Sequence, residues 1–298
     1  MSKHEVSEKF LSIEGESRYT GRPTIYVRYA RCNFSCAKFN GGMDQPLVDG
    51  YAALAFNPKD YTALSEIPLI TKGCDSQYAI NSAFSHMWEK LSVDELATSL
   101  VELLPNHQWV YPSGLPVILS LTGGEPTLRA KIIPELLNHP LMKDCQHVLI
   151  ETNCSVPLSW NFVGAVNEWL HADHHRQWTW SNSPKLSASG EPWNKAIVSE
   201  VAAMQRMVLG SDGLNQVDQY FKFVCNPTDE DFAEVARAMS EYYTAGIPTD
   251  IEVFIMPASC TEEQQQAIAP QVAKMCIDHG YTYCHRVHNS VFGNGVGT

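Results

Sequence analysis

Segments with the patterns of β-strands and of α-helices alternate along most of this chain. The strand-like segments are rich in β-branched and aromatic residues, and the segments between them carry apolar residues at three- to four-residue spacing. Such an alternation predicts parallel strands joined by right-handed crossovers, and therefore an α/β fold with either an open doubly wound sheet or a partial barrel. The predicted strands are 24–30, 117–121, 147–151, 177–181, 220–225, 250–255 and 281–287, and the predicted helices are 94–104 (capped by Ser92), 128–138, 162–171, 194–209, 229–245 and 261–279.

Residue motifs of unusual composition follow most of the predicted strands directly. The carboxyl ends of parallel strands share one edge of the sheet, which is where α/β folds bind ligands. We therefore expect these motifs to meet in one site. In strand order they are Cys32 after the first strand, Gly123-Gly124-Glu125 after the second, Thr152-Asn153 after the third, Ser183-Pro184-Lys185 after the fourth and Met256-Pro257-Ala258-Ser259 after the sixth.

Cys32, Cys36 and Cys74 form a candidate set of metal ligands. Three residues separate the first two, so one loop can turn both thiolates toward a single centre, and Cys74 can complete the set from a distance. Three thiolates on a [4Fe–4S] cluster leave one iron open to a substrate or cofactor. A zinc site is the alternative from a different class, since cysteine-rich loops also bind zinc.

The charge and the hydrophobicity of the chain indicate which kinds of binding partner and which compartment to expect. The formal charge of −12 opposes binding to phosphate backbones, which favours a small-molecule substrate over nucleic acid. Apolar runs are too short to span a bilayer, and the N-terminal residues lack the apolar stretch of a secretory signal. We therefore expect no membrane segment and a reducing cytoplasm, in which nine cysteines favour metal ligation over disulfides.

A family resemblance rests on motifs distributed over nearly the whole chain. They are Ser12-Ile13-Glu14-Gly15-Glu16, Gly21-Arg22-Pro23, Val27-Arg28, Cys32-Asn33-Phe34-Ser35-Cys36, Cys74-Asp75-Ser76, Thr122-Gly123-Gly124-Glu125-Pro126, Glu151-Thr152-Asn153, Ser183-Pro184-Lys185, Phe221-Lys222-Phe223-Val224, and His288 with Phe292-Gly293. In this order they resemble the motifs of 7-carboxy-7-deazaguanine synthases, radical S-adenosylmethionine (SAM) enzymes of deazapurine (queuosine-type) biosynthesis. The resemblance implies a partial (β/α)6-type radical SAM barrel in a single domain over 1–298.

The chain departs from the family at the third cysteine. In the family this cysteine follows the second after two residues, whereas here the Cys-Asp-Ser triplet reappears only at Cys74. We interpret 39–73 as an insertion within the cluster-binding loop. Lengthening a loop raises its closure entropy only logarithmically, by about 2 kcal/mol here, so the insertion is compatible with a cluster.

The resemblance also implies the cofactors and their binding residues. A [4Fe–4S] cluster is expected on Cys32, Cys36 and Cys74, and Mg²⁺ on Ser76, which stands where the family has threonine. Gly124, which lacks a Cβ, is expected to allow close approach of the SAM ammonium. The expected SAM-binding residues are Gly123, Gly124, Glu125, Thr152, Asn153, Ser183, Pro184, Lys185, Met256, Pro257, Ala258 and Ser259.

The substrate implied is 6-carboxy-5,6,7,8-tetrahydropterin, which undergoes radical ring contraction to 7-carboxy-7-deazaguanine with loss of ammonia. Arg28 is expected to bind its carboxylate through a bidentate fork. No side chain is expected to act as a general acid or base. The expected substrate-binding residues are Ser12, Ile13, Glu14 (where the family often has glutamine), Glu16, Arg28, Thr122 and His288, the last approaching from the end of the final strand.

The resemblance further implies an electron donor such as flavodoxin or ferredoxin, and a homodimer. Another radical SAM activity, such as a glycyl-radical activase, is the nearer alternative, because one scaffold can host both reactions.

Overall fold

The structure, a computed structural model, describes residues 3–210, 216–295 and 297. The strands are β1 (His4–Ile13), β2 (Pro23–Tyr29), β3 (Leu47–Val48), β4 (Tyr51–Ala52), β5 (Glu89–Leu91), β6 (Ile118–Gly123), β7 (His147–Thr152), β8 (Gln177–Asn182), β9 (Val217–Cys225), β10 (Val253–Pro257) and β11 (Thr282–Tyr283). The helices are α1 (Gln77–Ile80), α2 (Val93–Leu103), α3 (Ile132–Leu137), α4 (Trp160–His171), α5 (Trp193–Ala196), α6 (Ser199–Gln205), α7 (Asp229–Thr244), α8 (Glu262–His279) and α9 (Val287–Phe292).

Among the described residues, nine strands form one large, mostly parallel sheet in the order β11-β10-β9-β8-β7-β6-β2-β1-β5. Neighbouring strands from β2 to β11 in this order pair in parallel, while β1 pairs antiparallel with both of its neighbours, β2 and β5. The parallel strands follow one another in sequence order with no reversal, so successive right-handed crossovers place the helices on the same face. The α/β prediction is thus confirmed, and the arrangement is that of a partial barrel rather than a doubly wound sheet.

The two faces of the sheet differ in polarity, because side chains alternate along each strand. The residues that pack against the helices are apolar: Val27, Leu121, Ile150, Trp180, Phe221, Phe223 and Ile255 contact helical residues such as Leu96, Phe162 and Phe232. The opposite face carries Arg28, Thr122, Glu151, Ser181 and Lys222. Consequently the apolar pattern that builds the core leaves a polar surface on the other side of the same strands.

Segment 39–73 returns to its starting point. The N–H of Gly73 donates to the carbonyl of Phe39 at 2.7 Å. Between these residues lie the β3–β4 hairpin, short 3₁₀ turns and an apolar group that covers Phe84 and Trp88.

Two predicted elements are wrong in part. The strand predicted over 281–287 ends at Tyr283, because the N–H of Arg286 donates to the Gln265 side chain and that of Val287 to the Gly15 carbonyl. The helix predicted over 194–209 is interrupted at the β-branched residues Ile197 and Val198, where the backbone leaves the helical region.

In the part of the chain that the structure describes, no helix is both long enough and apolar enough to cross a membrane.

Candidate active site

A cavity of about 220 Å³ opens at the carboxyl ends of the parallel strands. Most of the motifs identified in the sequence meet there, as parallel pairing requires. The predicted site residues that line the cavity are Glu14, Glu16, Arg28, Cys32, Cys36, Cys74, Ser76, Thr122, Gly123, Gly124, Thr152, Asn153, Ser183, Lys185, Met256, Ser259 and His288.

Cys32, Cys36 and Cys74 lie together on one side of this cavity, within an apolar group that includes Phe34 and Phe39. Burial raises the pKa of Cys32 and of Cys74 to about 12, and raises the pKa of Cys36 well above its ordinary value. Without a metal the three groups are therefore thiols, and binding of a metal centre must release their protons.

The three cysteine sulfur atoms do not all lie within 4.8 Å of one another. Within residues 3–210, 216–295 and 297, the one group of three or more potential ligands whose ligand atoms all lie within 4.8 Å is Asp173, His174 and His175 on the surface. Three thiolates on one zinc ion, each at about 2.3 Å, would lie about 4 Å apart. The three sulfur atoms are therefore farther apart than they would be if all three bound one zinc ion.

The glycine pair after β6 crosses close to the end of β2. A Cβ at Gly123 or Gly124 would collide with the backbone of Tyr29 or Arg31. The N–H groups of Gly124 and Glu125 donate to the carbonyls of Tyr29 and Arg31 at 3.1 and 3.0 Å. The missing Cβ of Gly124 was predicted to allow close approach of a ligand, but it is needed first for this crossing of the backbone. The N–H groups are thereby engaged, so the carbonyl side of the loop is what suits an ammonium donor.

Glu125 does not line the cavity, although it was predicted to bind SAM. Its side chain is fully buried and accepts hydrogen bonds from Thr127, Thr152 and the N–H of Asn153. Asn153 in turn donates to Asn33, in the loop between Cys32 and Cys36, at 2.9 Å. Glu125 thus supports the cavity wall through Asn153 and does not itself reach the cavity.

Arg28 extends from β2 into the cavity and is held at two points. Its Nε donates to Glu8 at 2.6 Å and its Nη1 donates to Ser76 Oγ at 3.1 Å, while Tyr78 donates to the same Glu8 oxygen at 2.7 Å. The pKa of Arg28 is raised: burial opposes the charge, but Tyr78 and Glu8 outweigh that effect. A guanidinium has five N–H donors, so Arg28 keeps donors for an anionic ligand while its direction is fixed.

Three glutamates and a lysine set the charge deeper in the cavity. Lys222 forms a buried ion pair with Glu16. Burial alone would raise the pKa of Glu16, but Lys222, His288 and Arg286 outweigh it and lower the pKa to about 2. Burial and the nearby Glu151 and Glu16 raise the pKa of Glu14 well above its ordinary value. One carboxyl is thus charged and its neighbour is disposed to stay protonated, which offers both an acceptor and a donor.

His288 enters the cavity from α9 rather than from a strand end. A Cβ on Gly15 would overlap its imidazole ring, so glycine at this position makes room for the histidine. Burial is the main cause that lowers the pKa of His288. Among the described residues, His288 Nδ1 and Glu14 Oε2 are buried atoms with no hydrogen-bond partner. Both belong to cavity-lining residues, so a polar ligand can satisfy them.

Some predicted residues lie outside the cavity, and some cavity residues were not predicted. Ser12 and Ile13 lie in β1, where they pair with β2. Pro184 and Pro257 do not line the cavity, and Ala258 lines a neighbouring groove. The residues missed by sequence reasoning include Lys222, Glu151 and Arg286. A lysine at an inward position between Phe221 and Phe223 is a signal that could have identified the first of these.

Arg286 connects several parts of this site. Its guanidinium donates to Asp75 Oδ2 at 2.8 Å, to Ser259 Oγ at 2.7 Å and to the Ser259 carbonyl. Asp75 directly follows Cys74, and Ser259 belongs to the predicted SAM surface. The third cysteine is thereby anchored across the cavity to the last strands of the sheet.

No family model matches the chain. Among solved structures, the crystal structure of QueE from Escherichia coli aligns with 96% of this chain and 95% of that chain, at 15% identity and a TM-score of 0.45.

Curated relatives that match the chain share one name. 7-Carboxy-7-deazaguanine synthase from Rhodopirellula baltica is 27% identical, over 98% of this chain and 88% of the relative. The enzyme of the same name from Halobacterium salinarum is 22% identical over 98% of this chain and 92% of the relative, and that from Methanospirillum hungatei is 23% identical over 88% and 76%. At 22–27% identity the chain is thus similar, over most of its length, to proteins named 7-carboxy-7-deazaguanine synthase.

Proposed function

We propose that this protein is a radical SAM lyase that converts 6-carboxy-5,6,7,8-tetrahydropterin to 7-carboxy-7-deazaguanine with loss of ammonia. The observation that carries the proposal is that Cys32, Cys36 and Cys74 share one cavity with Arg28 and His288. A site for an iron–sulfur cluster and a site for a small polar anion therefore face each other across a short distance.

The cysteines fit a [4Fe–4S] cluster with one iron left open, and the loops after β6, β7, β8 and β10 fit SAM beside it. When bound, the cluster and SAM together supply the radical chemistry that removes hydrogen from C6 of the substrate. The chain itself contributes position: the glycine pair and Asn153 form one wall of the cavity, and Lys185 and Ser259 extend it.

Arg28 is our proposed ligand of the substrate carboxylate. Glu8 and Ser76 fix two of its nitrogens, so the remaining N–H groups are presented in a defined direction. Such fixed orientation reduces the entropy lost when the substrate binds and holds C6 in one place.

Glu14, Glu16, Thr122 and His288 are our proposed ligands of the pterin ring. A charged Glu16 accepts N–H groups, and a protonated Glu14 donates to a ring oxygen or nitrogen. Thr122 donates to Glu151 at 3.1 Å, which leaves its oxygen free to accept. The mixture of donors and acceptors matches the alternating edge of a pterin.

Mg²⁺ at Ser76 is a finer part of the proposal. Ser76 Oγ lies 3.4 Å from Asp75 Oδ1, and both are oxygen ligands of the type that Mg²⁺ prefers. Because Arg28 donates to Ser76 Oγ, we expect the ion to bind together with substrate oxygens that offset the guanidinium charge. Calorimetry with Mg²⁺, with and without substrate, tests this expectation.

Four further points stand as predictions from the sequence and from the resemblance. They are an insertion at 39–73, a flavodoxin or ferredoxin as electron donor, a homodimer, and a cytoplasmic location. The contact between Phe39 and Gly73 supports the first, because it brings the ends of the segment together. Sedimentation analysis and reduction assays with each donor test the dimer and the electron source.

Mass spectrometry tests the central proposal. The reconstituted protein is incubated without oxygen with reductant, SAM and 6-carboxytetrahydropterin, beside a Cys36→Ala control. Formation of 7-carboxy-7-deazaguanine only in the first sample is the expected result. 5′-Deoxyadenosine without that product would favour another radical SAM activity, and zinc without labile sulfide would favour the zinc-binding alternative.

A further inference from the structure

Glu191 lies outside every motif found in the sequence, yet it contacts the loop between Cys32 and Cys36. Its Oε1 accepts hydrogen bonds from the N–H of Cys36 at 2.8 Å, the N–H of Ser35 at 2.9 Å and the Ser35 hydroxyl at 3.3 Å. A single carboxylate oxygen thus binds the backbone on the N-terminal side of the second cysteine.

The backbone that Glu191 binds is strained. Cys36 has φ of 45°, in the left-handed region that residues with a Cβ rarely adopt. Such a conformation persists only when its surroundings hold it in place. Charge-assisted hydrogen bonds to two successive N–H groups supply that restraint.

The segment that carries Glu191 is itself attached to the same loop. The N–H of Lys38 donates to the carbonyl of Ser189 at 3.1 Å. Gly190 has φ of 82°, and a Cβ there would collide with the Lys38 side chain. The chain from Ser189 to Glu191 therefore packs closely along the cluster loop, with a glycine where a side chain would not fit.

We propose that Glu191 is a positioning residue that holds the cluster loop and keeps the reduction potential of the cluster low. This inference rests on the proposed function, since it requires a cluster on Cys36. Net charge and hydrogen bonds to the sulfurs set the potential of an iron–sulfur cluster. Glu191 adds a negative charge near Cys36, and it occupies two N–H groups that could otherwise donate to sulfur. Both effects disfavour the reduced, more negative state.

The test measures potential and loop order rather than activity. Glu191→Gln keeps an oxygen acceptor but removes the charge, and Glu191→Ala removes both. The matched control is Glu234→Gln, because Glu234 is also a carboxylate that accepts a backbone N–H of this segment, that of Ser187, at 2.9 Å. Reductive titration followed by electron paramagnetic resonance reports the potential of whatever cluster each variant holds.

We expect the Glu191→Gln cluster to show a reduced-to-oxidised ratio about tenfold higher than wild type at the same applied potential, which is about 59 mV for one electron. Glu191→Ala should raise the ratio at least as far, and Glu234→Gln should match wild type. In the metal-free protein, Glu191→Ala should speed amide hydrogen exchange in the peptide containing Ser35 and Cys36.

Two outcomes overturn the inference. One is an unchanged potential in Glu191→Gln, and the other is unchanged amide exchange in Glu191→Ala. Because exchange is measured without metal, it remains decisive even when a variant assembles little cluster. A wild-type protein that holds no iron and sulfide after reconstitution would instead contradict the proposed function, whatever the variants do.

Discussion

At the residue scale, two thiols compete for the role of third cluster ligand, because the partly buried Cys74 and the buried Cys260 both line the cavity. Cys260 Sγ accepts from Asn40 at 3.0 Å and donates to the Gly73 carbonyl at 3.7 Å, so its contacts are within the protein. We predict that Cys74→Ala abolishes cluster assembly and that Cys260→Ala retains near wild-type iron and sulfide. Iron and sulfide analysis after anaerobic reconstitution measures both. A full cluster in Cys74→Ala would show that the third ligand is misassigned.

Glu14 gives a prediction about pH. Its raised pKa means that the folded protein binds this proton more tightly than the unfolded chain does. Wild-type stability therefore falls as pH rises above the unfolded pKa of about 4.3, by about 1.4 kcal/mol per unit of pKa shift. Glu14→Gln cannot ionise, so we expect its melting temperature to exceed that of wild type by a margin that grows between pH 5 and 8. Scanning fluorimetry of the metal-free protein measures this margin, and a constant margin would contradict the raised pKa.

Glu16 should respond in the opposite direction. Its pKa is lowered to about 2, so its contribution to stability is present above the unfolded pKa and is lost as pH falls toward 2. Glu16→Gln leaves Lys222 buried without its partner, which costs about 3–5 kcal/mol at neutral pH. In the same melting assay we therefore expect Glu16→Gln to be less stable than wild type at pH 7. If Glu14→Gln and Glu16→Gln had equal melting temperatures at pH 7, the assignment of a protonated Glu14 beside a charged Glu16 would be wrong.

The sequence predicted most cavity residues because they lie in short motifs next to strand ends. Glu191 escaped prediction for a physical reason: it acts on backbone N–H groups far away in sequence, and an N–H group carries no residue-specific signature. Lys222 is intermediate, since its inward position in an apolar strand was visible but its partner Glu16 was not. Local pattern therefore identifies ligands of a cofactor better than it identifies the residues that position them.

At the scale of elements, regular periodicity and caps were reliable guides. α2 begins after Ser92, whose hydroxyl accepts the N–H of Glu95 while the Glu95 side chain accepts the N–H of Ser92. The final strand was mispredicted because Arg286 forms long-range contacts that replace the expected strand pairing. β1 was not predicted, because the motif around Glu14 was interpreted only as a binding segment. Strand endings fixed by long-range contacts were thus harder to predict than the regular strands and helices.

Excision of the proposed insertion gives a prediction at this scale. Because the N–H of Gly73 donates to the carbonyl of Phe39, a three-residue Gly-Ser-Gly linker replacing 41–71 can reconnect the loop. We expect this variant to assemble the cluster, since the cysteines keep their neighbours. It should also be less stable by about 3 kcal/mol or more, because Phe84 and Trp88 lose their apolar cover. Iron analysis and urea unfolding measure the two effects, and loss of the cluster with retained stability would show that the segment builds the site.

At the scale of the whole molecule, the sheet is open, and contacts across the cavity connect its first and last strands. Lys222 on β9 pairs with Glu16 after β1, and the N–H of Val287 donates to the carbonyl of Gly15. Arg286 adds its contacts to Asp75 and Ser259. These contacts converge on the cavity, so the arrangement that closes the partial barrel also orders the candidate site.

Arg286 and Arg18 allow this closure to be tested with matched substitutions. Arg18 also bridges the two ends of the sheet, pairing with Asp218 and Glu252, but its side chain is 39% exposed, whereas that of Arg286 is 6% exposed. Exposed pairs contribute about 0–1 kcal/mol. Arg286 also donates to the hydroxyl and carbonyl oxygens of buried Ser259, and leaving a buried acceptor without its donor costs about 1–3 kcal/mol, whereas Asp75 is 47% exposed and can be solvated. We therefore expect Arg286→Met to accelerate amide exchange in α9 and in the loop after Cys74, and to weaken SAM binding at least about tenfold. Arg18→Met should leave the amide exchange rates and the affinity for SAM close to those of wild type. Hydrogen exchange of the metal-free protein and calorimetry of the reconstituted protein measure these effects, and equal behaviour of the two variants would show that the buried network does not close the barrel.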